Sequence, residues 1–271
     1  MREQRTTGRP KEENTHTMTQ PLSEAPDGSW ATLFFTGRTV LVTGGTSGIG
    51  AAIAAGFAAA GAAVTATGAT EAEVEAADAA SSKVRHTTLD VRDRQAVDAL
   101  VGTFGALDVV VNCAGIIKRG DELDPDTFAT VVDVNLTGTM RVCAAVRPLL
   151  AQSGSGAIIN TASVLTFQGG GLVPGYSASK GGIGQLTKSL AIAYAGDGIR
   201  VNAVAPGWIA TPLTQALRND ASRSEPILAR TPMRRWGQPE DIVGGVLFLC
   251  SPAAGFVTGA ILPIDGGYLT T

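Results

Sequence analysis

From Arg38 onward the chain alternates two residue patterns, and few architectures tolerate that alternation. Short runs rich in β-branched residues fall at 39–43, 63–67, 84–90, 107–112, 157–161, 200–203 and 260–264. Ala- and Leu-rich stretches of helical composition lie between them, at 51–60, 96–104, 128–150, 177–194 and 242–249. Strands that are apolar on both faces and alternate with helices build a parallel sheet covered on both sides. The pattern predicts an α/β fold over residues 31–271: one doubly wound parallel sheet with helices on both faces, without repeats or an internal linker.

Composition limits the function classes. A chain of 271 residues with 44% hydrophobic content can bury one substantial core. A formal net charge of −3 leaves no electrostatic footprint for nucleic acid or an anionic membrane. The apolar stretches are interrupted well short of the ~20 residues a spanning helix needs. Neither nucleic acid nor membrane is an expected partner. Cys113, Cys143 and Cys250 are widely spaced and form no C-x-x-C pair. That argues for reduced thiols and a cytoplasmic location, against a disulfide framework or a zinc site. His16 and His86 fall outside every motif, so no metal centre is expected. Residues 1–30 read as a polar, charged leader without the apolar core of a secretory signal. Disorder is expected there, and Met18 is a candidate alternative start.

The first β-branched run leads directly into Thr43-Gly44-Gly45-Thr46-Ser47-Gly48-Ile49-Gly50 and then into an Ala-rich stretch. Glycines let a backbone turn tightly and approach a pyrophosphate, while the first N–H groups of the following helix face the anion. The spacing is G-x-x-x-G-x-G, a variant of the usual dinucleotide fingerprint. Ile49 stands where a Walker A loop needs lysine. Choice between NAD and NADP is read at the end of the second strand. Residues 64–70, ending at Gly68, Ala69 and Thr70, offer neither an acid for a ribose hydroxyl nor a cation for a 2′-phosphate. Ser47 is uncharged as well. Without a cation to offset phosphate desolvation, the expectation favours NAD over NADP.

Tyr176 and Lys180 stand four residues apart, which puts phenol and ammonium on one helical face. A cation beside a phenol favours the phenolate, lowering a pKa that starts near ~10. Such a pair suits transfer of an alcohol's hydroxyl proton.

Together these motifs resemble the short-chain dehydrogenase/reductase family over residues 33–271, which implies a single Rossmann-type domain. Gly44, Thr46, Ser47, Gly48, Ile49 and Gly50 fall in its cofactor loop, and Gly68 at its second strand end. Asp90 and Val91 resemble its adenine-contacting segment, and Asn112, Ala114 and Gly115 its N-x-A-G strand end. Pro206, Gly207, Ile209 and Thr211 resemble the segment that holds the nicotinamide carboxamide. Asn135, Ser163, Tyr176 and Lys180 fall where the family keeps its catalytic tetrad, with Ser163 thirteen residues before Tyr176. The resemblance implies that Tyr176 takes the hydroxyl proton as hydride leaves for nicotinamide. Lys180 would lower the phenol and hold the ribose, Ser163 would bond the substrate oxygen, and Asn135 would anchor a relaying water.

Substrate contacts are expected from Ser163, Gln168, Tyr176, Arg119 and Trp208. Gln168 suits hydroxyls better than a lipid chain. The stretch 211–231 reads as a helical lid with Arg218, Arg223 and Arg230, followed by Arg234 and Arg235. Any of these, or Lys118 and Arg119, can grip a carboxylate. The segments 114–119, 167–170 and 235–241 are similar to the branch of 2-deoxy-D-gluconate 3-dehydrogenases and 2-dehydro-3-deoxy-D-gluconate 5-dehydrogenases. That similarity implies an NAD-linked enzyme of sugar acids or polyols. Two rivals are a 3-oxoacyl-carrier-protein reductase and a non-catalytic dinucleotide sensor. The segment 259–271 resembles one that builds tetramers in relatives, so a homotetramer is expected.

Overall fold

Residues 31–80 and 83–271 are described by the computed structural model, so the expectations for the leader at 1–30, with His16 and Met18, lie outside the described residues. Strands β1 (Thr39–Thr43), β2 (Ala63–Gly68), β3 (Arg85–Thr88), β4 (Val109–Asn112), β5 (Ala157–Thr161), β6 (Arg200–Pro206) and β7 (Ile261–Ile264) form one sheet. Their order is β3-β2-β1-β4-β5-β6-β7, and every pairing is parallel. The doubly wound fold expected from the alternation is the fold the chain adopts.

The helices are α1 (Thr32–Phe35), α2 (Gly48–Ala59), α3 (Glu71–Ala80), α4 (Arg94–Val101), α5 (Pro125–Val132), α6 (Thr139–Ser153), α7 (Pro174–Tyr194), α8 (Gln215–Arg218), α9 (Ala221–Arg230) and α10 (Glu240–Cys250). Strand side chains alternate between the sheet faces. Val40, Val42, Val111 and Ile159 therefore pack with Ile53 and Phe57 of α2 and with Ile242 and Val246 of α10. Leu41, Val110 and Ile158 meet Val97 of α4, Val142 and Val146 of α6, and Leu190 of α7 on the other face. Each such side chain contributes about 1.5–3 kcal/mol on burial. The α2–α10 contact is close because Gly56 lacks a side chain: a Cβ there would lie 2.4 Å from Val243 Cγ1.

Asparagines link the strands inside this core, although Asn112 Oδ1 and Thr67 Oγ1 have no partner. Asn112 Nδ2 donates to Asn160 Oδ1 at 2.9 Å, and Asn160 Nδ2 to Thr187 Oγ1 at 3.0 Å. This chain links β4, β5 and α7. Arg200 caps the far end of α10 by donating to the carbonyls of Leu249 and Cys250 at 2.5 and 3.1 Å.

Four differences from the sequence expectations have local causes. The stretch 84–90 shortens to Arg85–Thr88. The single helix expected at 128–150 is split by a π-helical turn at Asp133–Gly138. Its first part begins earlier, because Asp124 accepts from the N–H groups of Asp126 and Thr127 and Pro125 presets the first turn. The lid is three short pieces instead of one helix: a 3-10 turn at Pro212–Thr214, then α8 and α9. Asp220 caps the start of α9 and so ends α8.

β1 pairs β2 on one side and β4 on the other, with Thr43 opposite Asn112. Winding direction reverses at this point, and the chain leaves both strands at their carboxyl ends. A crevice forms there in open α/β sheets.

Candidate active site

The glycine-rich turn bridges β1 and α2 at that crevice. Gly44 has φ +62°, and a Cβ on it would fall 2.6 Å from Ala114 Cα. The turn thus packs directly on the β4 end, against Cys113 and Ala114. A Cβ on Gly50 would meet the Gly44 carbonyl at 2.1 Å, so only glycine closes the turn. Ser47 precedes α2 without a side-chain cap, and the first turn of α2 contains no acid. A helix start left this way is a ready anion site. Thr211 lies against Gly48, its Cγ2 3.3 Å from where a Cβ would be. The phosphate turn and the segment after β6 therefore line one cleft. These residues fit a dinucleotide: a glycine-lined cradle at a bare helix start, opening toward Thr211.

At the second strand end the sequence expectation needs correction. Residues 64–70 carry no acid, yet the Glu73 carboxylate folds back onto the strand end. Its Oε2 accepts from Ala69 N at 2.7 Å and would stand 3.1 Å from a Cβ on Gly68. Thr70 Oγ1 accepts in turn from Glu73 N at 3.3 Å. The Thr70-x-x-Glu73 spacing of a capping box was the signal available in the sequence. Asp90 sits on the same side and is engaged by Arg92, whose Nε and Nη2 donate to it at 3.0 and 2.6 Å. Arg92 holds its carboxyl below the ordinary range. Val91 is buried against Gly138.

Tyr176 occupies the first turn of α7, and Lys180 stands one turn further. The Lys180 Nζ donates to the Thr161 carbonyl at 2.6 Å and lies 5.4 Å from the Tyr176 ring centre. Lys180 is buried, and burial pulls its pKa down to about 8. Tyr176 is pushed above its ordinary value, first by burial and then by the charge of Glu122; Ser163, as hydrogen-bond partner, pulls the other way. The lowered phenol expected from the Tyr176–Lys180 spacing is thus contradicted. Desolvation acts on both groups, and the ammonium is spent on a carbonyl.

Ser163 follows β5 and is buried beside the phenol. Its Oγ also accepts from Leu165 N at 3.1 Å, capping the 3-10 turn Val164–Thr166. Thr166 Oγ1 donates to the Lys180 carbonyl at 2.8 Å, so the serine turn is fastened to α7. Cys113 lies under this group with Sγ 3.1 Å from Thr161 Oγ1. Burial pushes its thiol up to about 11, which leaves it inert near neutrality.

Asn135 sits inside the π-helical turn and is buried. Its Oδ1 accepts from Ile116 N at 2.8 Å, and its Nδ2 donates to Ile116 O at 3.0 Å and to Ser179 Oγ at 3.1 Å. It clamps the strap after β4, which contains Gly115, onto α7. One lone pair of Oδ1 remains for a water. Asn112 contributes its amide to the core network described above, while Ala114 backs Gly44 and Gly115 lies against Asn135.

Beyond Pro206, Gly207 N donates to Ile264 O at 3.0 Å. Ile209 bridges to Gly237, and Thr211 and Thr214 form a mutual capping box at the lid's start. Trp208 packs edge-on against Trp236 and Tyr268 at 6.0 and 6.1 Å, and its buried Nε1 has no partner. Gln168 is half-buried on the segment between Ser163 and Tyr176.

The lid arginines separate into two groups. Arg230 stacks on Tyr268 at 4.4 Å, and Arg235 donates to both oxygens of Asp241 at 2.6 and 2.9 Å. Arg223 of α9 instead lies near Arg119 of the strap. Arg119 is pulled below its ordinary value by burial first and by that second guanidinium next. Among the described residues neither has a carboxylate within ion-pair distance.

Known proteins resemble this chain in sequence and fold. The family model described as enoyl-(acyl carrier protein) reductase matches residues 44–269. A 2-dehydro-3-deoxy-D-gluconate 5-dehydrogenase of Pseudoalteromonas atlantica is 44% identical over 86% of this chain and 96% of its own length. Among solved structures, a chain from Agrobacterium tumefaciens with bound NADP is 42% identical, with a TM-score of 0.81 over 89% of this chain and 99% of that one. A gluconate 5-dehydrogenase from Burkholderia cenocepacia in complex with NADP and tartrate is 35% identical, with a TM-score of 0.82 over 90% of this chain and 99% of that one. With the sheet order, the glycine turn and the Ser163–Tyr176–Lys180 cluster already in place, these matches assign the chain to the short-chain dehydrogenase/reductase family, NAD(P)-dependent oxidoreductases acting on CH–OH groups.

Proposed function

We propose that the substrate is a small sugar acid, oxidised or reduced at a secondary alcohol or ketone carbon. The observation that carries this reading is the Arg119–Arg223 pair. Two guanidiniums from separate segments repel each other, and among the described residues neither is in an ion pair, although Arg223 also acts on Asp220 at the start of its own helix; an incoming carboxylate relieves that repulsion. The first-named relative and the Burkholderia protein, the latter with tartrate, both bear names of sugar-acid dehydrogenases.

A nicotinamide dinucleotide, when bound, supplies the hydride acceptor. Gly44, Thr46, Ser47, Gly48, Ile49 and Gly50 would hold its phosphates, with Gly68, Asp90 and Val91 on the adenine side. Asn112, Ala114, Gly115, Pro206, Gly207, Ile209 and Thr211 would line the nicotinamide half. Tyr176 Oη accepts the hydroxyl proton in the oxidation direction. Ser163 Oγ donates to the substrate oxygen, opposing the charge that develops there. Lys180 supplies the positive charge beside the phenol and would hold the ribose. Asn135 keeps the Ile116 strap against α7. Gln168 and Trp208, with its spare N–H, would meet substrate hydroxyls.

NAD is the dinucleotide we assign, on the Glu73 carboxylate at the strand end. A 2′-phosphate would face that negative charge, whereas a 2′-hydroxyl can donate to it. The bound NADP of the two solved relatives makes this a property of the present chain to be measured. A homotetramer in the cytoplasm completes the assignment. Ile192 of α7 is 81% exposed, and Phe248 of α10 and Phe256 are exposed as well, apolar surface of the kind subunits bury.

The test is initial rates of nicotinamide reduction with NAD and NADP in parallel. Substrates would be 2-deoxy-D-gluconate, 2-dehydro-3-deoxy-D-gluconate, gluconate and a neutral polyol. Turnover of an acid with NAD supports the assignment. Activity confined to NADPH and a β-ketoacyl thioester moves the chain to acyl-carrier reduction, and no activity with either class moves it to a sensor.

A further inference from the structure

We propose that Glu122 is a positioning residue of this site: its buried carboxylate ties the strap after β4 to the first turn of α7 and holds a negative charge against the backbone of Tyr176, from where it acts on the phenol. The proposal rests on the reading of Tyr176 as the proton-transfer group.

Glu122 lies in a 3-10 turn, Asp121–Leu123, between two exposed neighbours, yet it is only 1% exposed itself. Its Oε1 accepts from Lys118 N and its Oε2 from Tyr176 N, both at 2.7 Å. A buried carboxylate is costly unless its lone pairs are satisfied. Among the described residues no cation pairs with it, so two backbone N–H groups and the positive end of a 21-residue helix offset that cost. The helix needs such a partner. Val173 at the N-cap offers no side-chain bond, and Pro174 has no N–H, so Tyr176 is among the first donors left open.

An ordinary Ser or Asp at position 173 would cap the helix locally. Glu122 does more, because its other oxygen holds the peptide of Lys118, one residue before Arg119. The strap that bears the substrate-facing arginine and the helix that bears the phenol are thereby fixed to one carboxylate. The charge of Glu122 adds to burial in raising the phenol, while the Ser163 hydrogen bond pulls it down.

Lys180 lies 5.4 Å from the Tyr176 ring centre, and the remaining charged groups sit on neighbouring elements, among them the exposed N-cap Asp124 of α5. On elements packed against α7, Asp121 and Asp126 are exposed, and Asp133 is paired with Arg141 at 2.9 Å. Lys118 and Arg119 are exposed on the strap, and Cys113 lies by Lys180. Lys188, Tyr194, Asp197 and Arg200 belong to the opposite end of α7 or beyond.

Two variants test the proposal on whichever substrate the enzyme turns over. Glu122→Gln removes the charge and sets an amide donor against one of the two N–H groups. Its kcat should fall about ten- to a hundredfold from misplacement, and the rising limb of its oxidation pH profile should move to lower pH. Glu122→Asp keeps the charge but shortens the reach, so its kcat should fall while the limb stays at the wild-type pH. Ultraviolet difference titration, with Tyr176→Phe as blank, reads the same phenol without substrate. Failure of the sugar-acid assignment would leave that titration unaffected. A Gln limb that stays put or moves up overturns the proposal. So does wild-type kcat in Glu122→Asp, which decides the matter alone if the Gln variant does not fold.

Discussion

Lys180 Nζ lies 5.4 Å from the centre of the Tyr176 ring while donating at 2.6 Å to the Thr161 carbonyl. The ammonium is therefore anchored to β5, and the phenol stands over it on a helix fastened to the same strand end. Burial lowers Lys180 to about 8 from an ordinary 10.5. A lysine with a lowered folded pKa binds fewer protons folded than unfolded between those values. Its burial penalty is full below about pH 8 and disappears once the unfolded chain also loses the proton. Lys180→Met should accordingly raise Tm below about pH 8, with the gain shrinking as pH approaches 10.5. Thermal unfolding of both proteins across that range checks the sign.

The phenol itself gives a pH prediction for catalysis. Tyr176 is held above its ordinary value, so phenolate is scarce at neutral pH and increases with pH. Oxidation kcat/KM should climb from neutral into alkaline pH. Oxidation fastest in mild acid would contradict the assignment of Tyr176 as base.

Arg119→Ala and Arg223→Ala should each raise KM for a sugar acid by about ten- to a hundredfold, the usual loss for a hydrogen bond to a charged group. A neutral polyol should be affected little by either. Equal losses on acid and polyol would show that the pair shapes the lid and does not read a carboxylate.

Glu73→Gln keeps an acceptor for Ala69 N but removes the charge at the β2 end. Binding of NADH and NADPH, followed by tryptophan quenching, should shift toward NADPH by about tenfold, the worth of relieving one like-charge contact. An unchanged ratio would place dinucleotide choice elsewhere.

Much of this molecule could be read from its residues. Alternating β-branched and Ala-rich runs give the sheet because buried parallel strands have no polar face. The glycine turn and the Tyr176–Lys180 spacing are local, and local geometry survives folding. Glu73 and Glu122 escaped because their roles depend on where a helix turn folds back and on which surface turn becomes buried. Neither is encoded in a strand end. The shifted phenol escaped for a related reason: spacing gives proximity, whereas desolvation and a distant carboxylate decide the direction of the shift. The π-turn around Asn135 likewise arises from a tertiary clamp on Ile116 that no helical period reveals.

In the proposed mechanism Tyr176 moves the substrate proton. The most direct measurement is a rapid-mixing single turnover with the best sugar acid, comparing wild type and Tyr176→Phe, with reduced-dinucleotide binding measured separately. The account predicts unchanged binding and a rate of nicotinamide reduction lower by about 10²- to 10⁴-fold. A Phe variant that reduces nicotinamide at the wild-type rate would contradict it.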